Sequence, residues 1–239
     1  MPYSHRDRIK RHAGVDPLIL LGSLVLTFIA GFINTTSLMY FHVPVSHMSG
    51  AVSKLSIDLG AGDFADFLNM MYILAGFLLG AITSGYLIGV RNLKPSREYA
   101  MALLLEAAAL IAALTLFEGD ISFGLTAVAY ACGLQNAMAS NYLGLVIRTT
   151  HVTGIVTDFG VLIGQSLKHR AVKLWKILFL AGLLTGFFVG GFFGLIAYGY
   201  FSFHSLLIPA SMCLVSAAAF FFLRVRGKPG PTARRDAEP

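Results

Sequence analysis

The sequence predicts an all-α polytopic membrane protein with six transmembrane helices and two re-entrant half-helices, arranged as an inverted three-plus-three repeat. Three observations predict it: long apolar runs, a one-sided distribution of cations, and three motifs that recur in the same order in both halves. Of 239 residues, 56% are hydrophobic and 13% charged, whereas soluble domains carry about 25% charged residues. Such a chain has too few charges to cover a soluble surface.

Apolar runs occupy 17–41, 64–90, 100–117, 121–147, 174–201 and 203–223. Each is long enough to cross a hydrocarbon core of roughly 30 Å as a helix. The first run exceeds the apolar stretch of about 7–15 residues in a secretory signal and lacks a small-residue cleavage site, so it is expected to be retained. The expected organisation is a cytoplasmic tail at 1–16, a first repeat at 17–117 with a re-entrant segment at 42–63, a second repeat at 121–223 with a re-entrant segment at 148–170, and a cytoplasmic tail at 224–239. Cys132 and Cys213 fall inside spans, where a buried thiol behaves as a small apolar side chain.

Lys and Arg accumulate on the cytoplasmic side of membrane proteins. With the N-terminus inside, the segments 1–16, 91–99, 148–176 and 224–239 hold every one of the 18 cationic residues except Lys54. The outside connections near 42–63, 118–120 and 202 hold Asp63, Glu118 and Asp120. If 42–63 and 148–170 also crossed, the loops at 91–97 and 118–120 would change sides and the asymmetry would be lost. Each segment is therefore expected to return to the side it came from. Non-helical backbone survives at membrane depth only where it is buried in protein or lines a watery cavity. The net charge of +6 is thus a topology signal and predicts no nucleic-acid partner.

The repeat has three anchors. Gly31-Phe32-Ile33-Asn34 resembles Gly133-Leu134-Gln135-Asn136. Ser46-His47-Met48-Ser49-Gly50-Ala51-Val52-Ser53-Lys54 matches Thr150-His151-Val152-Thr153-Gly154-Ile155-Val156-Thr157-Asp158. Leu74-Ala75-Gly76 with Gly80 matches Leu180-Ala181-Gly182 with Gly186. The offsets are 102, 104 and 106. Three spans per repeat invert the second relative to the first, the plan of transporters whose sites lie near the midplane where repeats meet. Ser49 and Thr153 are expected to cap half-helices at about 50–61 and 154–167. The two N-termini, each worth about +0.5 charge, would then face one another.

The candidate pathway residues follow from this plan. His47 and His151 hold equivalent places; they can offer hydrogen bonds to a polar solute and permit gating by pH, or simply bond between helices. No Cys or Glu cluster completes a zinc site around them. Lys54 and Asp158 occupy one repeat position with opposite charge. Each alone would cost about 2.5–3.5 kcal/mol at the centre of a span, so they are expected to pair across the half-helices, as a lock or as a gate. Glu106 is a carboxylate inside an uninterrupted span, either functional or bonded to a neighbouring helix. Asn34, Gln135 and Asn136 line the pathway or act as interhelical glue, and Asn141 reads as glue. Ser49, Gly50, Thr153 and Gly154 form the half-helix starts. The stripe Gly182, Gly186, Gly190, Gly194, echoed by Gly76, Gly80 and Ser84, fits close packing of the equivalent helices; homo-oligomerisation stays open.

The His-Met-Ser-Gly motif at 47–50, the Gly-Leu-Gln-Asn motif at 133–136 and Arg-Thr-Thr-His-Val-Thr-Gly-x-x-Thr-Asp-x-Gly at 148–160 resemble the YoaK-like family of bacterial inner-membrane proteins. The resemblance spans 17–223. It implies the fold class and an inner-membrane location; the family's activity is not established, so no substrate follows. Many of its members carry Asp in place of Asn34 and Asn in place of Ala51, so this chain lacks a carboxylate that could carry a proton. No P-loop, dinucleotide fingerprint, His-Glu-x-x-His or Gly-x-Ser-x-Gly motif occurs, so neither enzymatic chemistry nor a cofactor is expected. The expectation is a channel or secondary transporter for a small polar or anionic solute. The alternative is a non-transporting membrane protein, an intramembrane enzyme or an assembly partner.

Overall fold

A computed structural model of the chain describes residues 17–43, 45–88, 96–117, 121–138, 140–142, 145–147, 149–168 and 172–226. Eight α-helices appear among them. In chain order these are α1 (Pro17–Phe41), α2 (Met48–Ala61), α3 (Phe64–Ile88), α4 (Arg97–Phe117), α5 (Ile121–Ala137), α6 (Val152–Leu167), α7 (Leu174–Phe201) and α8 (Leu207–Arg226). The cations expected to set the topology at 6–11, 91, 94, 148, 170 and 228–235 lie outside the described residues.

The outward faces carry many large apolar side chains. Leu21, Leu78, Tyr86, Phe188, Val215 and Phe222 are exposed, while Ile29, Ile33, Leu103, Leu110, Val128 and Leu134 are fully buried. A soluble bundle would present polar residues on the outer face; a helix that is apolar all round belongs in a membrane. By length and composition α1, α3, α4 and the stretch Leu174–Phe222 can cross one. That last stretch is two helices, α7 and most of α8, joined by the 3-10 turn Ser202–Leu206.

The run 121–147 is not one helix. α5 stops at Ala137 after 17 residues, and Ser140–Tyr142 then pairs antiparallel with Leu145–Ile147, Asn141 opposite Val146. Ser and Asn compete with helical hydrogen bonding and Val and Ile favour strands, so local preference prevails over apolar content here.

Close backbone approach holds the bundle together. α1 packs along α7 and α3 along α5, and glycines mark the crossings. A methyl group at Gly31 would strike the carbonyl of Phe187, and one at Gly133 the carbonyl of Phe77. Likewise Gly190 lies against the carbonyl of Phe28, and Gly80 against that of Tyr130. Gly31 and Gly133 are 102 positions apart, as are Phe28 and Tyr130, so their partners correspond too: Phe77 with Phe187 and Gly80 with Gly190, an offset of 110. The third sequence anchor is therefore shifted by one helical turn from the expected 106. Glycines recurring every four positions allow such a slip without losing the glycine matches.

The short helices follow the same pattern: α2 packs on α3 and α6 on α7. α2 ends at Gly62, whose φ of 75° lets the N–H groups of Gly62 and Asp63 turn back to the carbonyls of Leu59 and Asp58, a left-handed glycine cap. Asp63 then caps α3, its carboxylate accepting from the Asp66 N–H at 3.2 Å. α4 packs against α5 and α8.

Candidate functional site

Between the starts of α2 and α6 lies a cavity of ≈ 850 Å³. Its walls draw on both halves of the chain in matched pairs: Asn34 and Asn136, Ser46 and Thr150, His47 and His151, Met48 and Val152, Ser49 and Thr153, Phe77 and Phe187. Each asparagine takes a hydrogen bond from the hydroxyl that follows it in its own half. Ser46 Oγ donates to Asn34 Oδ1 at 2.6 Å, and Thr150 Oγ1 donates to Asn136 Oδ1 at 2.6 Å. Each amide oxygen is thereby engaged, which leaves the amide N–H groups to the cavity.

The histidines, not Ser49 and Thr153, occupy the capping positions. α2 starts at Met48 and α6 at Val152, with His47 and His151 just before them and no side-chain capping bond at either. The first turns thus keep backbone N–H groups without helical partners. Both imidazoles are exposed, and each folds over the glycine three residues on. A methyl group at Gly154 would collide with the His151 ring, and one at Gly50 would come within 3.2 Å of His47 Cδ2. Gly50 and Gly154 make room for the imidazoles, which is what the recurring His-x-x-Gly spacing encodes.

Four expected site residues lie elsewhere. Lys54 does not pair with Asp158. Its Nζ bonds Asp58 at 2.9 and 3.1 Å and Asp66 at 3.0 Å, because Asp58 lies one turn further along the same helix and Asp66 opens α3. The two carboxylates, Asp58 first, raise Lys54 above the ordinary lysine value. Asp158 is partly buried in α6 and forms no ion pair among the described residues. Gln135 is interhelical glue, its Nε2 donating to the Leu26 carbonyl at 2.6 Å. Glu106 is fully buried in α4, beside Cys213 of α8.

His47, Ser49, Asn34, His151, Thr153 and Asn136 all line this one cavity. Ser46 and Thr150 stand in the second motif yet were not expected as wall residues. Phe77 and Phe187 went unnoticed, though the shared pattern Gly-Phe-x-x-Gly at 76–80 and 186–190 marks both once the offset is 110.

A family model described as "Protein of unknown function (DUF1275)" matches residues 22–219. A UPF0700 transmembrane protein of Rhizobium meliloti (strain 1021) is 30% identical over 216 residues, covering 90% of this chain and 91% of the relative. No solved structure matches.

Proposed function

The chain belongs to the DUF1275 family, the YoaK-like family its motifs resemble, and from that premise we propose that it is a channel or secondary transporter for a small polar or anionic solute. The observation that carries the proposal is the cavity whose polar lining is supplied twice over, by Asn34, Ser46 and His47 and by Asn136, Thr150 and His151. Transporters built from inverted repeats place their sites where half-helix N-termini converge between repeats. On this reading the six long helices span a bacterial inner membrane with both termini in the cytoplasm. α2 and α6 are re-entrant half-helices, and the two repeats are inverted. The glycine contacts that tie α1 to α7 and α3 to α5 support the repeat. The apolar outer faces support the membrane setting.

Purified protein in liposomes, challenged with small anions and neutral solutes, tests the proposal. Flux above that of empty liposomes for at least one solute is the expected result. No flux for any of them, with growth unaltered by His47→Ala and His151→Ala, would favour a non-transporting membrane protein.

A further inference from the structure

We infer that the solute is a small, singly charged anion. The inference rests on reading the cavity as the solute pathway and narrows what passes through it. A cation sheds water only for acceptors, and a neutral polyol needs donors and acceptors together. Here the amide oxygens of Asn34 and Asn136 each already accept a hydroxyl hydrogen at 2.6 Å, which takes up one of the two lone pairs on each and makes the amide N–H groups the unengaged side of both side chains. The amide N–H groups of both residues stay on offer, and His47 and His151 each add an N–H donor beside one acceptor nitrogen. Among the described residues no carboxylate lines the cavity, so none of them cancels the positive potential of these donors. The first turns of α2 and α6 add backbone N–H groups of the same sign.

The lining also bears on charge magnitude. Among the described residues neither Lys nor Arg lines the cavity, and Lys54 is committed to Asp58 and Asp66. Divalent oxyanions are held by the strong, charge-assisted bonds of such side chains, so a site built of neutral donors suits one negative charge. Phe77 and Phe187 add aromatic surface to the cavity wall. Aromatic surface cannot replace the water of a strongly hydrated dianion, and this too favours chloride, nitrate or formate over sulfate.

The test uses the full chain in two formats, proteoliposome flux and thermal unfolding in detergent, with sodium chloride, nitrate, formate and sulfate at matched ionic strength and glycerol at matched osmolarity. The monovalent anions are expected to permeate at least roughly tenfold faster than sulfate or glycerol, and nitrate to raise the unfolding temperature where glycerol does not. Asn136→Asp keeps the size of the side chain but sets a carboxylate among the donors. It is expected to cut anion flux roughly tenfold or more, by reversing the local potential, while the unfolding temperature without anions holds. Glycerol passing as fast as the anions, or Asn136→Asp leaving anion flux intact, would overturn the inference while transport stands. Nitrate stabilisation without flux would uphold the anion site and overturn transport. Neither flux nor stabilisation would overturn both.

Discussion

Thr150 Oγ1 donates to Asn136 Oδ1 at 2.6 Å, closing the chain between α5 and α6 into a loop that contains the β-hairpin. Removing one partner of such a bond costs about 1 kcal/mol net, more when the remaining group is cut off from water. Thr150→Val is therefore expected to lower unfolding free energy in detergent by about 1–2 kcal/mol. Adding Asn136→Leu should not double the loss, because the bond is already broken. Strictly additive losses in chemical unfolding of the single and double variants would show that the two side chains are uncoupled.

Lys54 joins α2 to α3 through Asp66 and stabilises Asp58 within its own helix. Lys54 is about one-third exposed, with side-chain exposure of 36% against 7% for Asp58 and 49% for Asp66. Its worth lies between a surface pair at about 0.2–1 kcal/mol and a broken buried pair at about 3–5 kcal/mol. Lys54→Met is expected to cost about 1–2 kcal/mol, and Asp158→Leu much less. The double variant should show the sum of the two, with no rescue; recovery of stability on adding Asp158→Leu would revive a Lys54–Asp158 pair.

The same cluster sets a pH dependence. The folded-state value of Lys54 is raised by its carboxylate partners, so its contribution is fully present below the ordinary lysine value and is lost as pH rises through the raised one. Wild type and Lys54→Met should therefore differ in unfolding temperature by a constant amount across neutral pH. On the alkaline side the gap should close only in strong alkali.

Much of this architecture was legible in the sequence, for reasons visible in single residues. The His-x-x-Gly motifs mark the starts of α2 and α6, where the imidazole needs the space the glycine leaves. The repeat position of Lys54 points to Asp158, whereas its actual partner Asp58 sits one helical turn away and carries no repeat signal. The helix end at Ala137 was hidden by an apolar run that continues into a hairpin. The register of α3 on α5 was ambiguous because glycines every four residues match themselves after a shift of one turn. Contacts with carbonyls at Thr126 and Tyr130 resolved it.

That register makes a sharp mutational prediction. A methyl group at Gly76 would clash with the Thr126 carbonyl, whereas at the equivalent Gly186 it would meet the Leu24 carbonyl at 3.5 Å, an ordinary contact. Gly76→Ala is expected to reduce folded yield in detergent and Gly186→Ala to be tolerated. Gly60, with open space around it, should accept Ala with a gain of up to about 1 kcal/mol from helix propensity.

Ser96, just before α4, and Ser202, just after α7, are placed to report orientation. In a background with Cys132→Ala and Cys213→Ala, impermeant thiol reagents should reach Ser96→Cys and Ser202→Cys from opposite faces of the membrane. Labelling from one face would remove the six-span threading and the inversion of the repeats with it.

The most direct test of the pathway is to narrow the cavity in place. Ser49→Cys and Thr153→Cys, introduced separately in the cysteine-free background, put a thiol on each half of the wall; Leu167→Cys, exposed at the end of α6, serves as the control. If the cavity conducts solute, a bulky charged thiol reagent abolishes liposome flux through both wall variants, leaves the Leu167→Cys control untouched, and reducing agent restores it. Undiminished flux through fully modified Ser49→Cys and Thr153→Cys proteins would contradict the assignment of the pathway to this cavity.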